Sequence, residues 1–110
     1  MIVVLAHVQV APQHRLRALD LATTHVARSR LEPGCVSHAV YEEPGHPNRL
    51  AFVEEWASEE DLLRHFAVPA SIEFVNEMGT LAAARIGMRL YRADAMPFPR
   101  QPAPPASPGA

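Results

Sequence analysis

Lysine is absent from the sequence, and all ten basic residues are arginines. Chemistry that needs a lysine Schiff base or a lysine general base is therefore excluded. Cysteine is almost as scarce, because Cys35 is the only one among the 110 residues. No disulfide can form within this chain, which argues against a disulfide-stapled secreted scaffold and favours a reducing, cytoplasmic setting.

Long apolar runs and a strong net charge are missing as well. No run approaches the ~20 residues of a membrane span, and the apolar first ten residues lack the basic start and cleavage site of a signal peptide. The formal net charge of -2 gives no reason to expect nucleic acid or a membrane as a partner. Phosphate-binding glycine loops, dinucleotide fingerprints and G-x-S-x-G elbows are also absent, which removes their associated chemistries.

What is present is a regular succession of strand and helix patterns. Apolar residues alternate over the first ten positions and predict a strand buried on both faces. A helix over residues 12–31 follows, in which Leu16, Leu19, Thr23, Val26 and Arg30 recur at helical spacing and predict one face. Residues 35–41 and 49–56 alternate again, and the Pro- and Gly-rich stretch between them predicts a hairpin.

The second half predicts a broken helix and a last strand. Ser58 can cap a short helix that stops before Pro69, and a second amphipathic helix follows the proline. Residues 85–93 alternate and predict a fourth strand. The order matches an α+β, ferredoxin-like β-α-β-β-α-β fold with an antiparallel sheet, formed by residues 1–94. Residues 95–110 are rich in proline and alanine and predict a disordered tail.

The predicted sheet has too many apolar side chains for a face that meets water. Its first strand is apolar on both sides, and Ala51 and Val53 lie opposite Leu50, Phe52 and Trp56. Helices cover one face of such a sheet, so the other needs a different cover. Since a two-fold axis satisfies two identical faces at once, we expect a homodimer through the sheet face.

Glu54 is the most unusual polar residue of the strands. By alternation it lies between Phe52 and Trp56 on one face. Apolar neighbours would raise its pKa and suit it to proton transfer near neutral pH. The alternative is a carboxylate at the sheet rim, paired with an arginine of the fourth strand.

Three histidines are candidates for the same cavity: His7 and His38 interrupt the apolar patterns of the first two strands, and His65 lies in the short helix after Trp56. With a carboxylate they would suffice for a metal ion, but no H-x-H or H-x-x-x-H pair fixes two ligands locally, so we predict no metal site. We assign His14, His25 and His46 to solvent. Cys35 lacks a partner base and is predicted to be a packed structural thiol.

Four segments carry a family resemblance: E-P-G-C from Glu32, F-V-E-E-W from Phe52, S-E-E-D-L-L-R-H from Ser58, and Phe74. Their order and spacing over residues 1 to about 92 resemble the antibiotic-biosynthesis monooxygenase family. The resemblance implies a dimeric α+β barrel with one pocket per subunit. It also implies oxidation of a small hydroxylated aromatic or quinol by molecular oxygen, without flavin, haem or metal.

The resemblance assigns roles to individual residues. His65, Trp56, Glu54 and His7 are the candidate catalytic residues, and Phe52, His38 and Phe74 would contact the substrate. His38 replaces a tyrosine that the family often has, which puts an imidazole in place of a phenol. Two alternatives stay open: a binding protein that holds a small aromatic ligand without turnover, and a haem-binding or haem-degrading relative with His65 or His7 on the iron.

Overall fold

The computed structural model describes residues 1–99 and Pro104. Four strands form one antiparallel sheet in the order β2-β3-β1-β4, and three helices lie against it. The elements are β1 (Ile2–Gln9), a 3-10 turn (Pro12–His14), α1 (Arg15–Ser29), β2 (Cys35–Glu43), β3 (His46–Trp56), α2 (Glu59–Ala67), α3 (Pro69–Leu81) and β4 (Gly87–Arg92). The predicted α+β, ferredoxin-like arrangement is confirmed.

The two faces of the sheet differ as the alternation predicts. On the helix side, β1 and β3 contribute a buried layer made of Ile2, Val4, Ala6, Val8, Leu50, Phe52, Glu54 and Trp56. The opposite side, called the outer face below, carries Leu5 paired with Val53, and Tyr41 paired with Ala51. Leu5 is 43% exposed, so within one chain the outer face presents apolar side chains to water.

The buried face of α1 differs from the predicted one. Leu16 is 75% exposed, whereas the residues that α1 buries are Ala18, Ala22, His25, Val26 and Ser29. The prediction followed the large apolar side chains, but small ones let the helix backbone approach the sheet closely. This rotation of the helix carries His25 into the interior.

The second helical region is broken at Pro69, as predicted. Ser58 caps α2 by accepting a hydrogen bond from the backbone N–H of Asp61 at 3.1 Å. Pro69 begins α3, where its missing N–H costs nothing. After the break, α3 packs against α1 and α2, and its C-terminal end reaches the chain just after β1, where the backbone N–H of Ala11 donates to the carbonyl of Leu81.

The C-terminal segment follows β4. Residues 93–99 form no helix or strand, and the side chains of Met96 and Phe98 are exposed. Apart from Pro104, the remainder of the predicted tail lies outside the described residues, and the boundary at residue 94 stays a prediction. Among the residues described, no helix is long and apolar enough to cross a membrane.

Candidate functional site

A cavity of about 400 Å³ lies between α3 and the sheet. Its walls are mostly apolar, because α3 and the strands contribute Phe52, Ile72, Phe74, Val75, Met78 and Met88. Ile72, Val75 and Met88 are about half exposed and stand at its mouth. The polar side chains on its inner wall include Glu54, His25 and His65. Such a cavity suits a small apolar molecule that carries one or two polar groups.

Glu54 is buried, with 4% of its surface exposed, in the middle of the helix side of the sheet. Its Oε1 accepts a hydrogen bond from the indole Nε1 of Trp56 at 2.9 Å. The same oxygen lies 3.2 Å from Nε2 of His38 and 3.9 Å from Nε2 of His65. One carboxylate oxygen therefore faces three ring nitrogens.

The expected elevation of the Glu54 pKa is wrong. Burial alone would raise it, but the neighbouring His38, Trp56 and His65 favour the ionised form more strongly and hold the pKa of Glu54 below its ordinary value. Phe52 and Trp56 predicted an apolar setting, yet Trp56 contributes its N–H and not only its ring. The alternative of an arginine partner at the sheet rim is also wrong, because Glu54 lies inside. At neutral pH the site holds a buried carboxylate.

His65 connects this carboxylate to a second one. It lies near the C-terminal end of α2, is 3% exposed, and packs its ring against Trp56 with the centroids 4.5 Å apart. Its Nδ1 lies 2.9 Å from Oε1 of Glu32. When Nδ1 carries the proton it donates to Glu32, which leaves the lone pair of Nε2 directed away from Glu32. Glu32 belongs to the E-P-G-C turn, so this motif orients the histidine.

His25 is the residue that the sequence prediction misplaced. It was assigned to solvent but is only 5% exposed, and it stacks on Phe74 with ring centroids 3.9 Å apart. Its Nδ1 lies 2.7 Å from Nη2 of Arg28, which also donates to Oγ of Ser71 at 3.1 Å. Burial, then His38, His65 and Arg28, lower the pKa of His25 to about 3. His25 is therefore neutral in the site.

His38 enters the same cluster from β2. It is 1% exposed, and neither ring nitrogen has a hydrogen-bond partner among the described residues. Its Nε2 is close to Glu54, but the contact is not aligned as a hydrogen bond. Apart from the nearby carboxylate of Glu54, the buried imidazole has no polar partner among the described residues, which is a costly arrangement.

The remaining predicted site residues fall into two groups. Phe52 and Phe74 line the cavity and contact each other edge to face. His7 is also among the residues around the cavity, but it pairs with Ala51 and its side chain therefore belongs to the outer face, where the ring lies against Gly87. The prediction that His7 projects into the cavity with His65 is wrong, because strand alternation places the two side chains on opposite faces of the sheet. Trp56 and His38 do not line the cavity but support the residues that do. What each side chain contributes to chemistry stays a prediction.

Cys35 is half-buried beside a separate recess under β2. Burial raises the pKa of its thiol, and the carboxylates of Glu54 and Glu32 raise it further, against the opposing effect of Arg30. A thiol of this kind is a poor nucleophile at neutral pH. Its position agrees with the predicted structural role.

The sequence matches the model of one protein family. Residues 1–77 match the family described as antibiotic biosynthesis monooxygenase. The chain belongs to the antibiotic biosynthesis monooxygenase family. Among individual proteins, the chain is similar to an uncharacterised protein of Synechocystis sp., with 33% identity over 91 residues, or 83% of this chain. The matched region covers 62% of that longer protein, so the relative contains sequence with no counterpart here.

Solved structures of other proteins share the fold. A Deinococcus radiodurans protein that carries the family's description superposes with a TM-score of 0.84 at 19% identity, covering 89% of this chain and 98% of its own. A conserved protein of Methanosarcina mazei superposes with a TM-score of 0.80 at 26% identity, covering 84% of this chain and 92% of its own. Neither comparison names a substrate.

Proposed function

We propose that this member of the antibiotic biosynthesis monooxygenase family oxidises a small hydroxylated aromatic or quinol with molecular oxygen, without flavin, haem or metal. The observation that supports this best is the apolar cavity with an ionised Glu54 and its neighbour His65 on the inner wall. A flat aromatic ring fits the apolar walls, and its hydroxyl group would meet the buried polar groups.

The proposed reaction begins with proton transfer. Glu54 and His65 form the acceptor, because the carboxylate is already ionised and lies beside Nε2 of His65. The phenolate is electron-rich and gives one electron to oxygen, after which the two radicals combine at the ring carbon. One oxygen atom becomes the new carbonyl, and the other leaves as water with the two hydrogens lost by the substrate. The substrate supplies all four electrons.

The neighbouring residues would support this proton transfer without taking part in the bond changes. Trp56 holds Oε1 of Glu54 through its N–H, and Glu32 orients His65. Phe52 and Phe74 would contact the ring and, together with α3, keep water away from the radical pair. His38 does not reach the cavity, so it would tune the acceptor through Glu54, 3.2 Å away, and would not contact the substrate.

The second candidate function is binding without turnover. The same cavity would hold a small aromatic ligand equally well, and a fold does not determine an activity. Aerobic incubation separates the two candidates, because a bound ligand that is recovered unchanged favours binding. The haem alternative requires a Soret band after haem addition, with His65 or His7 on the iron.

We propose that two copies pair through the outer face and form the dimeric α+β barrel. The exposed Leu5 and Tyr41 and the partly buried Val53 support this, because each would be shielded by its counterpart across a two-fold axis. We also propose a cytoplasmic location. The lone Cys35 with its raised pKa suits a reducing compartment.

Oxygen uptake tests the proposed reaction. Metal-free protein is incubated with dihydroxynaphthalenes and anthrones, and at least one should be consumed faster than by autoxidation. His65→Ala should lower the rate by roughly 10²–10⁴, the usual contribution of a proton acceptor. Trp56→Phe removes one hydrogen bond to a charged group and should lower it about tenfold.

The matched control is His46→Ala, which removes an exposed histidine and should leave the rate unchanged. No substrate above the autoxidation rate, or equal rates for wild type and His65→Ala, would contradict the proposal.

A further inference from the structure

Three buried histidines from three different elements converge beside the cavity. This histidine cluster consists of His25 of α1, His38 of β2 and His65 of α2, and none is more than 5% exposed. One ring nitrogen of each lies within 4.8 Å of the other two. The ring centroids are 5.2, 5.3 and 5.6 Å apart, and no two rings are parallel.

These separations match those of imidazoles around one metal ion. A transition metal is bound by histidine nitrogens at about 2.0–2.1 Å, and three rings directed at a tetrahedral ion then have centroids about 5 Å apart. The ring nitrogens lie within 4.8 Å of one another and would have to approach to about 3.3 Å, so binding an ion requires shifts of about 1 Å.

Unpaired lone pairs support the same interpretation. Nδ1 of His38 is buried without a partner among the described residues, and Nε2 faces only the carboxylate of Glu54 in a contact that is not aligned as a hydrogen bond, so an ion would satisfy one of them. Oε1 of Glu54, 3.2 Å from Nε2 of His38, is placed to complete the coordination. Neighbouring ligand atoms of a tetrahedral ion are separated by about this distance.

Glu32 contacts the ring nitrogen of His65 that would not bind the ion, and carboxylates at this position are common in metal sites. Metal-binding histidines usually donate their second N–H to a carboxylate, which fixes the tautomer and makes the other nitrogen a better ligand. Glu32 accepts in this way from Nδ1 of His65, at 2.9 Å. Nε2 is then free on the side of Glu54.

Arg28 opposes an ion at His25. A guanidinium can only donate, so its 2.7 Å contact makes Nδ1 of His25 an acceptor and leaves the proton on Nε2. To bind an ion through Nε2, His25 must lose this proton or move it to Nδ1. A protonated Nδ1 can no longer accept a hydrogen bond from Arg28, so the second route displaces Arg28. The guanidinium also repels a cation. Arg28 therefore lowers the affinity of the cluster for metal.

We propose that His25, His38, His65 and Glu54 form a binding site for one divalent transition metal ion. Three imidazoles and one carboxylate suit Zn²⁺, Co²⁺, Ni²⁺ or Cu²⁺ and not Mg²⁺ or Ca²⁺. This structure-based inference replaces the sequence-based expectation of no metal site, which considered His7 and not His25. The ion would occupy Glu54 and His65, so the proposed oxidation belongs to the metal-free protein.

Cobalt titration tests the site without any substrate. EDTA-dialysed full-length protein is titrated with CoCl₂, and binding is followed by the visible ligand-field absorption of four-coordinate Co²⁺. One ion per chain should bind saturably, MgCl₂ should not compete, and ZnCl₂ should displace the cobalt. Absence of saturable binding, or the spectrum of a six-coordinate ion alone, overturns the proposal.

Variants identify the ligands. His38→Gln should abolish the absorption, whereas His46→Gln, at an exposed position, should leave it unchanged. Glu32→Gln keeps the shape of the side chain and should weaken Co²⁺ binding 10–100-fold. Arg28→Met should strengthen it about tenfold, because a repelling charge is removed. Wild-type affinity in His38→Gln or in Arg28→Met would contradict the proposed ligand set, and circular dichroism checks that each variant is folded.

Discussion

At the scale of single residues, the site offers a bound molecule one hydrogen-bond donor, His25, and one acceptor, Glu54. His25 stays neutral because its pKa is about 3, and Arg28 keeps the proton on Nε2. It can therefore donate a hydrogen bond to a phenolate oxygen. Glu54 stays ionised and can only accept. A bound phenol would meet one donor and one acceptor, which favours removal of its proton.

The burial of His25 predicts a loss of stability in mild acid. Its pKa is lower in the folded protein than the ordinary 6.5, so the unfolded chain binds more protons between pH 6.5 and about 3. The contribution of neutral His25 to the free energy of unfolding is complete above pH 6.5. As the pH is lowered, the free energy of unfolding falls by up to about 1.4 kcal/mol per pH unit. Urea unfolding of the metal-free protein at pH 7, 6 and 5 measures this slope.

A variant tests whether His25 causes this dependence of the free energy of unfolding on pH. His25→Phe keeps an aromatic ring on Phe74 but cannot titrate, so its slope between pH 6.5 and 5 should be shallower than that of wild type. His46→Gln is the control and should keep the wild-type slope, because His46 is exposed. Equal slopes for wild type and His25→Phe would show that His25 does not control the acid response.

Individual site residues were predictable where a motif or strand alternation marked them. Glu54, Trp56 and His65 stood out in this way, and the structure brings them into contact. His25 did not, because the buried side of α1 is not the one that its large apolar residues indicate, and the actual rotation of the helix carries His25 inside. The pKa direction of Glu54 also escaped prediction, since it depends on which atoms of Trp56 and His38 face the carboxylate.

At the scale of elements, the E-P-G-C turn positions the site. Gly34 has a positive φ of 78° and lies against Asp61 in the first turn of α2. Its carbonyl accepts from the backbone N–H of Ala57 at 2.8 Å, just before that helix. The turn and α2 are therefore held together, and this sets the distance between Glu32 and His65.

Two glycines allow a matched test of this contact. Gly34→Ala and Gly45→Ala both place a Cβ on a residue with positive φ, at a cost of about 1–2 kcal/mol each. A Cβ at Gly34 would also lie 2.1 Å from Cγ of Asp61, whereas nothing lies within 4 Å at Gly45. Chemical unfolding should therefore show Gly34→Ala as the less stable variant by more than about 1 kcal/mol. Equal losses would show that the turn does not depend on its packing against α2.

The order of the elements was predictable, but the rotation of α1 was not. Alternation, Pro69 and the capping Ser58 each mark a boundary locally. The buried side of α1 is instead set by how closely the helix approaches the sheet, which favours Ala18 and Ala22 over Leu16. That choice depends on packing between distant segments and is not visible in the helix's own periodicity.

At the scale of the whole molecule, the outer face of the sheet carries apolar side chains that one chain leaves exposed. Leu5 lies in its central strand, paired with Val53 and Arg89. If two copies meet there, a charge at Leu5 would be buried without a partner.

Light scattering tests the assembly. Wild type should be a dimer at micromolar concentration, and Leu5→Arg should be a monomer. Leu16→Arg is the matched control, since Leu16 is exposed on α1 and away from the outer face, and it should remain a dimer. A monomeric wild type, or a dimeric Leu5→Arg, would contradict pairing through the sheet.

The central claim is that the cavity carries out monooxygenation, and the fate of isotopically labelled oxygen tests it most directly. Metal-free protein is incubated under ¹⁸O₂ with the most rapidly consumed hydroxylated aromatic, and the product is analysed by mass spectrometry. The account predicts a quinone that contains one labelled oxygen atom, with the other label recovered in water. A product without label, or a ligand recovered unchanged from a tight complex, would contradict it.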